Sequence, residues 1–479
     1  MKNKNVFRFG MLSLIAYLLL PVFCSNRNPN LSEKQLYAQT NDAIQITAEN
    51  LFDTGYGPQT GLRHDEIRSV DPANRPAIID IAGNLENKKA FKLSDFASSV
   101  NYIFLQQPPD TKFTSISEVV SDDNHIFVNT SIGLLCYSKE GQYLYTLCKN
   151  ELETSYLGTR IVSGMKSGAN IDLLNGRLVF RTTHWPSVDE GIAEMRLNVF
   201  EINELDAQMS FSIQSGELRK NEPQPTYQRQ LDPTKDIGLL SKYLMMNDLS
   251  FFISNSLNAV AINGDTLCKF NDYDRPTTRV RVGVIPAIYR INGQVMLRNN
   301  YNDTIFRVEP PNRLIPVYVM QWGKYKPNIN QLAAGSDVEG KLVLRDWIET
   351  KRYIFIEYTE GRAYPARWME GKVNFHYAIY DKTAKTLVHH ITSTQPPMRE
   401  FKMGTMTTTM PLPPMFENDI EPVGMPFWPG GLNHKDEMYM TFSKEQIKSY
   451  IATGKFQNNK LQTIYDNMPD DGFCLMTVK

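Results

Sequence analysis

The sequence predicts an all-β fold, a six-bladed β-propeller with four-stranded antiparallel blades and a small C-terminal helical decoration. Three observations support this prediction. Short segments of alternating apolar and polar residues recur along the chain, turn residues separate them, and a helical pattern is clear only near the C-terminus. One small sheet buries too little apolar surface to be stable, whereas sheets packed around an axis cover both faces of each.

The repeating unit is clearest in "HIFVNTSIGLLCYSKEGQYLYTL", where the strands are separated by turns. Similar units follow at "GRLVFRT", "LSFFISN", "GQVMLRN" and "RYIFIEY", and a partial sixth includes "DEMYMTF". Five residues hold equivalent places in what we take as the first strand of each unit, namely Phe127, Phe180, Phe252, Met296 and Phe355. Their separations of 53, 72, 44 and 59 residues predict insertions between strands. In the second unit we expect "INELDA" to be a turn and "QMSFSIQ" a strand.

Closure of the ring requires a strand from the N-terminal region, and two segments qualify. Either "AIIDI", from Ala77, or "VNYIFL", Val100–Leu105, could lie beside the final "FCLMTV". The helical pattern begins at Ser443, and Gln446 three residues later completes a capping-box arrangement. We expect Gly454 to divide this segment into two helices.

The N-terminus has the pattern of an export signal. Three basic residues precede an apolar run from Phe9 to Phe23, which is about fifteen residues and too short to span a bilayer comfortably. Cys24 ends the run, as in bacterial lipoproteins, where the thiol is lipidated. Lipoprotein signals favour a small residue before this cysteine and a leucine three residues before it, but Phe23 and Pro21 stand there. A conventionally cleaved signal and an uncleaved anchor remain alternatives.

These features predict three regions: a lipoprotein signal peptide at 1–24, a flexible tether and lead-in at 25–75, and the propeller at 76–479. The 51 Lys and Arg nearly balance the 52 Asp and Glu, so charge gives no reason to expect nucleic acid as a partner. Residues 1–24 carry three of the basic residues and no acidic one, which leaves a mature net charge of −4. A lipid would therefore be the main attachment to a membrane.

The remaining cysteines permit disulfides in an exported protein, but buried thiols within apolar strands are the favoured interpretation. They are Cys136, Cys148, Cys268 and Cys474. A Met-rich segment, 396–431, raises the possibility of Cu(I) binding, although neither Cys nor His stands among its methionines. A Pro-rich loop packed over one end of the ring is the simpler interpretation. His389 and His390 alternate along one strand, so we expect them to face opposite sides and not to share a metal.

Motifs for catalysis and cofactor binding are absent from the sequence. It contains no GxSxG, HExxH, P-loop or GxGxxG pattern, and we predict neither a cofactor nor a metal. Aromatic residues in the predicted insertions are candidates for stacking on sugars or gripping a peptide: Trp185, Tyr364, Trp368 and Trp428. Alternatively, each covers the edge of a neighbouring blade.

Several segments resemble the six-bladed β-propeller lipoproteins of Gram-negative gut bacteria. The domains of this family were formerly classed as domains of unknown function, and they are similar in shape to NHL propellers. The resembling segments are "FKLSDFASSVNYIFLQ", "DDNHIFV", "GLLCYSKEGQYLYTL", "NDTIFRV", "LIPVYVMQWGKYK" and "NMPDDGFCLMTVK". Members often have a Gly-rich run after an Arg in the first blade, where this chain has "CKNELETSYLGTR". The resemblance implies the fold and an exported location, and it transfers no catalytic residue.

Together these features predict a lipoprotein of the bacterial outer membrane, on either its periplasmic or its surface side. Its propeller is expected to bind or scaffold a protein, peptide or glycan without catalysis. The alternative is a propeller hydrolase or lyase that acts on glycan. Two or three carboxylates at the channel mouth, one of them in a buried site that raises its pKa, would favour the enzyme.

Overall fold

The structure is a ring of six four-stranded antiparallel sheets, so the predicted β-propeller is confirmed. It is a computed structural model that describes residues 67–68, 75–155, 158–165, 171–184, 194–215, 223–231, 242–247, 250–254, 257–270, 277, 287–298, 302–336, 338–362, 373–391, 398–403, 406–411, 415–420, 424–452, 459–470 and 472–479. All of these residues belong to one unit, Gly61–Lys479.

Blades 1 to 3 follow one another along the chain. Blade 1 comprises Ile116–Ser121, His125–Thr130, Gly133–Ser138 and Tyr143–Lys149. Blade 2 comprises Ile171–Leu174, Arg177–His184, Glu194–Glu201 and Tyr227–Leu231, and a hairpin, Glu151–Ser155 with Gly158–Gly164, extends its sheet. Blade 3 comprises Tyr243–Asn247, Ser250–Ile253, Asn258–Ala261 and Thr266–Lys269.

Blades 4 to 6 complete the ring. Blade 4 comprises Ala287–Ile291, Gln294–Arg298, Thr304–Glu309 and Arg313–Gln321. Blade 5 comprises Leu342–Glu349, Tyr353–Glu360, Asn374–Asp381 and Thr386–His390. Blade 6 comprises Gly431–Leu432, Met438–Ser443, Phe473–Val478 and, from the N-terminal region, Val100–Leu105. A separate hairpin, Met398–Met403 with Met406–Pro411, lies between blades 5 and 6 in sequence.

The recurring aromatic and Met positions are equivalent, but they belong to the second strand of each blade and not to the first. Each of them is buried, and one further strand precedes them nearer the axis. Apolar side chains fill the gaps between neighbouring blades; Phe127 of blade 1, for example, shares a cluster with Leu178 and Phe180 of blade 2. Burial of both faces of each sheet is the main contribution of this packing to stability.

The segment after the third strand of blade 2 corrects a prediction. The expected turn and strand, "INELDA" and "QMSFSIQ", form one α-helix, Ile202–Ser215. Ile202 and Leu205 are buried three residues apart, which is helical spacing, and they pack with the core between blades 1 and 2. The fourth strand of the blade is supplied later, by Tyr227–Leu231.

The chain from Ile67 to Leu105 runs along the outer edges of three blades, and we call it the N-terminal belt. Ile67–Arg68 and Ala77–Asp80 pair in parallel with the outer strand of blade 4. Lys88–Lys89 pairs in parallel with the outer strand of blade 5. A short 3-10 helix, Ala82–Asn84, lies between the pairings with blades 4 and 5, and a second, Leu93–Asp95, lies between the pairing with blade 5 and the strand of blade 6. The belt therefore covers sheet edges that would otherwise be open to pairing with another chain.

Ring closure takes place in blade 6, where the belt supplies the outer strand. Val100–Leu105 lies antiparallel to Phe473–Val478, so the second of the two predicted closing strands is the one used. The other candidate, "AIIDI", is the part of the belt that pairs with blade 4. In the described part of the chain, four α-helices decorate the sheets, together with a 3-10 turn at Gly323–Tyr325: Ile202–Ser215, Ile329–Ala334, Lys444–Ala452 and Asn459–Asn467.

The C-terminal helices confirm the predicted cap and the predicted division. The Ser443 backbone N–H donates to Gln446 Oε1 at 2.8 Å, and the Gln446 N–H donates to Ser443 Oγ at 3.3 Å. The two helices lie on either side of the position of Gly454, which itself falls outside the described residues. Within the described parts of the chain, no helix combines the length and the apolar character needed to cross a membrane.

Candidate functional site

The direction of the strands divides the connections of the propeller between two faces. Because the strands of a blade are antiparallel, successive connections alternate between its two ends. The connections from strand 2 to strand 3, and those from one blade to the next, therefore share one face, which we call the insertion face. The connections from strand 1 to strand 2, and from strand 3 to strand 4, share the other, which we call the short-turn face.

Long connections concentrate on the insertion face. They include 150–170 between blades 1 and 2, 391–430 between blades 5 and 6, and 444–472 inside blade 6. On the short-turn face most connections are tight turns, such as 175–176 and 292–293, and 202–226 with its helix is the exception. This asymmetry leaves the short-turn face compact and gives the insertion face the chain length needed to build a binding surface.

Most of the site residues predicted from the sequence lie outside the described residues. This applies to Cys24, Trp185, Tyr364 and Trp368. The strands that flank three of them are described: blade 2 has a connection after His184, and blade 5 has one after Glu360. Both strands end on the insertion face. The positions of the three aromatic rings stay a prediction.

Trp428 is described, and its surroundings favour the packing alternative. The residue is 7% exposed and belongs to the core cluster between blades 5 and 6. Its ring is 4.8 Å from Tyr377, 5.2 Å from Phe416 and 5.8 Å from Phe355, measured between centroids. Because neighbouring aromatic rings surround it, Trp428 covers the blade and leaves little surface on which a sugar or peptide could stack.

The innermost strands bring charged groups from different blades together, which the sequence alone did not indicate. Glu118 of blade 1 accepts a 2.9 Å hydrogen bond from the Ile171 N–H of blade 2. Asp172 of blade 2 accepts one of 2.6 Å from the Met245 N–H of blade 3. Arg290 of blade 4 donates to Asp172 Oδ2 at 2.8 Å. These contacts tie four successive blades together around the axis.

The two carboxylates differ in how strongly they are engaged. Burial raises the pKa of Glu118 to about 6, although Lys242 and the Ile171 N–H favour the charged form. Burial also raises the pKa of Asp172, and Arg290 opposes that effect. Asp172 is occupied by the guanidinium and two backbone N–H groups, which suits a structural ion pair. Glu118 is thus the group that can exchange a proton near neutral pH.

A second ionisable pair lies in blade 5. Arg345 Nε is 3.3 Å from Glu357 Oε1; the Glu357 side chain is mostly covered, whereas Arg345 is exposed. Burial raises the pKa of Glu357 to about 7 despite the neighbouring Arg345. The sequence signal for these groups is a charge within an otherwise apolar inner segment, as in "LVLRDWIE" and "SISEVV". That signal does not reveal which blade a charged side chain faces.

The family of the chain follows from a family model. The model described as Domain of unknown function (DUF4933) matches residues 59–453, most of the chain. The chain belongs to the DUF4933 family. The matched range begins just before the belt and ends after the first C-terminal helix, so it includes most of the propeller.

Solved structures similar to this DUF4933 member include two Bacteroides proteins without a stated activity. A candidate exported protein of Bacteroides fragilis is 10% identical, with a TM-score of 0.49, over 84% of this chain and 99% of that chain. A protein of unknown function from Bacteroides caccae is 9% identical, with a TM-score of 0.30, over 61% and 94%. The extracellular domain of a hybrid two-component system of B. thetaiotaomicron is 10% identical, with a TM-score of 0.32, over 71% and 38%. No curated protein is similar enough to count as a match.

Side chains that could hold a metal do not gather in the described residues. Among these residues there is no group of three or more His, Cys, Asp or Glu placed to share an ion. His389 accepts a hydrogen bond from the Tyr358 hydroxyl and donates to the Asn84 carbonyl, whereas His390 accepts from the Phe91 N–H. The two histidines therefore face different neighbours, as expected.

The cysteines and the described methionines of the Met-rich segment are packing residues. All four cysteines of the propeller are buried thiols and form no disulfide with one another. Met425 is buried in the core between blades 5 and 6, and Met415 packs against the same cluster. The side chains of the hairpin methionines fall outside the described residues, so copper binding there stays an open alternative.

Proposed function

We propose that this protein is an exported lipoprotein, attached to the outer membrane through Cys24, whose propeller binds or scaffolds a protein, peptide or glycan without catalysis. The observation that carries the proposal is the concentration of long connections on one face of a rigid ring. Rigid sheets that position variable loops are a common design for binding surfaces. Trp185, Tyr364 and Trp368 belong to connections whose flanking strands end on this face.

A ligand array tests the binding proposal. The chain from residue 25 to 479 is applied to glycan and peptide arrays, beside variants Trp185→Ala and Trp368→Ala. Stacking on these rings predicts at least tenfold weaker binding in one or both variants. Leu144→Ala is the matched control, because Leu144 is an exposed apolar residue on the outer strand of blade 1. Absence of any ligand would leave only a scaffold role.

The membrane attachment has its own test. Mass spectrometry of the mature N-terminus is expected to find a diacyl- or triacylglyceryl group on Cys24, and Cys24→Ser should release the protein from membranes. An unmodified N-terminus further along the chain would contradict the lipoprotein assignment.

A glycan hydrolase or lyase is the second candidate, and Glu118 is the observation that favours it. A partly exposed carboxyl with a pKa of about 6, beside a second carboxylate, is a suitable general acid. If any glycan bound by the array is cleaved, Glu118→Gln should abolish turnover and leave binding within about twofold. Cleavage that persists in this variant would place the reaction elsewhere.

A further inference from the structure

Arg298 lies where the gap between blades 4 and 5 meets the insertion face. It is the last residue of the second strand of blade 4, Gln294–Arg298. Met296, two residues earlier, packs in the core between blades 4 and 5. Since alternate residues of a strand share one face, the Arg298 side chain enters the same gap at its insertion-face end.

The guanidinium of Arg298 is buried with unsatisfied donors. The residue is 6% exposed, and within the described parts of the chain neither Nε nor Nη1 has a hydrogen-bond partner. The acidic residue that acts on it through space is Asp346 of blade 5, but no salt bridge joins the two. Asp346 instead accepts a 2.8 Å hydrogen bond from the Trp347 N–H. Asp346 is exposed, so solvent reaches the blade 5 side of this gap.

Two other largely covered arginines of the propeller have acceptors for their guanidinium groups. Arg290 donates to Asp172 and to the Met245 carbonyl, and Arg177 pairs with Glu201. A buried charge without such partners is strongly destabilising, because desolvation is not compensated. The described residues therefore supply no hydrogen-bond acceptor for Nε and Nη1 of Arg298.

We propose that Arg298 receives an oxyanion of the ligand, a carboxylate, sulfate or phosphate, at the insertion-face end of the gap between blades 4 and 5. The planar guanidinium can donate two parallel hydrogen bonds to two oxygens of such a group, and this interaction is strongest where water is excluded. The proposal rests on the binding function proposed above and adds the chemistry of the ligand: it carries an oxyanion, and the glycan and peptide arrays identify which kind of molecule supplies it.

Thermal unfolding in different salts tests the oxyanion site directly. The chain from residue 25 to 479 is melted in sodium sulfate, phosphate and acetate, and in sodium chloride at matched ionic strength. Sulfate and phosphate stabilise proteins in general, so the readout is the difference between variants. The wild type is expected to gain Tm from at least one oxyanion beyond the gain of Arg298→Gln. Arg307→Gln, which removes an arginine of the same blade paired with Glu309, should behave like the wild type.

A second variant covers the case in which Arg298→Gln does not fold. Arg298→Lys keeps the charge and loses the fork, and it should weaken oxyanion binding at least tenfold in calorimetric titrations. Equal responses in the wild type, the Arg298 variants and Arg307→Gln would overturn the proposal.

The ligand array separates this inference from the binding function itself. A neutral ligand bound equally by wild type and Arg298→Lys would overturn the inference and support the binding function. An array without any ligand would contradict the binding function, while the salt response would still decide the role of Arg298.

Discussion

At the residue scale, blade 5 holds buried histidines that must stay neutral for the fold to be stable. His390 accepts the Phe91 N–H on Nδ1 at 3.2 Å, which ties the belt to the blade. A proton on that nitrogen would remove the hydrogen bond. Burial lowers the pKa of His390 to about 4 and also lowers the pKa of His376 and His389. These histidines are therefore protonated at a lower pH in the folded protein than in the unfolded chain.

This difference predicts acid sensitivity. Because the folded pKa of His390 is below the unfolded value of about 6.5, its contribution is complete above that pH and is lost as the pH falls towards 4. His390→Asn keeps an acceptor for Phe91 but cannot titrate. Between pH 7.5 and 4.5 the variant should lose about 2–3 kcal/mol less free energy of unfolding than the wild type, measured in urea. Leu144→Ala, which changes an exposed apolar residue of blade 1 and removes no ionisable group, is the control and should follow the wild type.

The contacts of individual residues at the candidate site were the part least accessible from the sequence. Glu118 and Asp172 stand out only as charges in short inner strands. Their neighbours Ile171, Met245 and Arg290 come from other blades, and no local pattern encodes such contacts. For Trp428, loop position suggested a ligand contact, but the loop folds back into the core. Burial of a loop residue depends on tertiary packing, which composition does not reveal.

At the element scale, the belt is a strand-like segment whose two sides have different surroundings. Ile78 and Ile79 are consecutive residues paired with blade 4. Ile79 is 0% exposed and belongs to the core between blades 4 and 5, whereas Ile78 is 49% exposed. Alternation along a strand explains the difference.

The pair offers a matched test of the belt. Ile79→Ala should lower the free energy of unfolding by about 2–5 kcal/mol, since it leaves a cavity in the core. Ile78→Ala should change it by no more than about 0.5 kcal/mol. Urea denaturation measures both, and limited proteolysis around residues 75–90 reports whether the belt detaches first. Equal effects of the two substitutions would mean that the belt does not contribute through packing.

The helix Ile202–Ser215 shows why element type was harder to predict than element existence. "QMSFSIQ" alternates apolar and polar residues as a strand does, and "INELDA" has a polar turn composition. The helical spacing of Ile202 and Leu205 spans only one turn, which is a weak signal. The C-terminal helices were predictable because Ser443 and Gln446 carry a local capping signature.

At the scale of the whole molecule, the ring is closed by a strand pairing between the two end regions of the chain. Residues 100–105 and 473–478 lie side by side, and the Lys479 N–H donates to the Ser99 carbonyl at 3.1 Å. The closed ring was predictable from the sequence because small sheets that recur along a chain can protect their edges in only a few architectures, of which the propeller is one. The sequence left two candidate closing strands, because both are short and apolar. The structure uses one to close the ring and the other to cover blade 4.

Removal of the closing strand should prevent formation of the native fold. A chain that starts at residue 107 lacks Val100–Leu105 and leaves Phe473–Val478 as an apolar sheet edge. We expect it to aggregate or to elute as oligomers in size-exclusion chromatography. A chain that starts at residue 61 keeps the belt and should elute like the full-length protein and melt cooperatively. A stable monomer from residue 107 would show that blade 6 does not need the belt strand.

The pairing in blade 6 also sets an order of events during biosynthesis. Because Val100–Leu105 pairs with Phe473–Val478, this sheet cannot form until residues 473–478 have been synthesised. Until then the early strand lacks its neighbour, and the nascent chain has no closed ring.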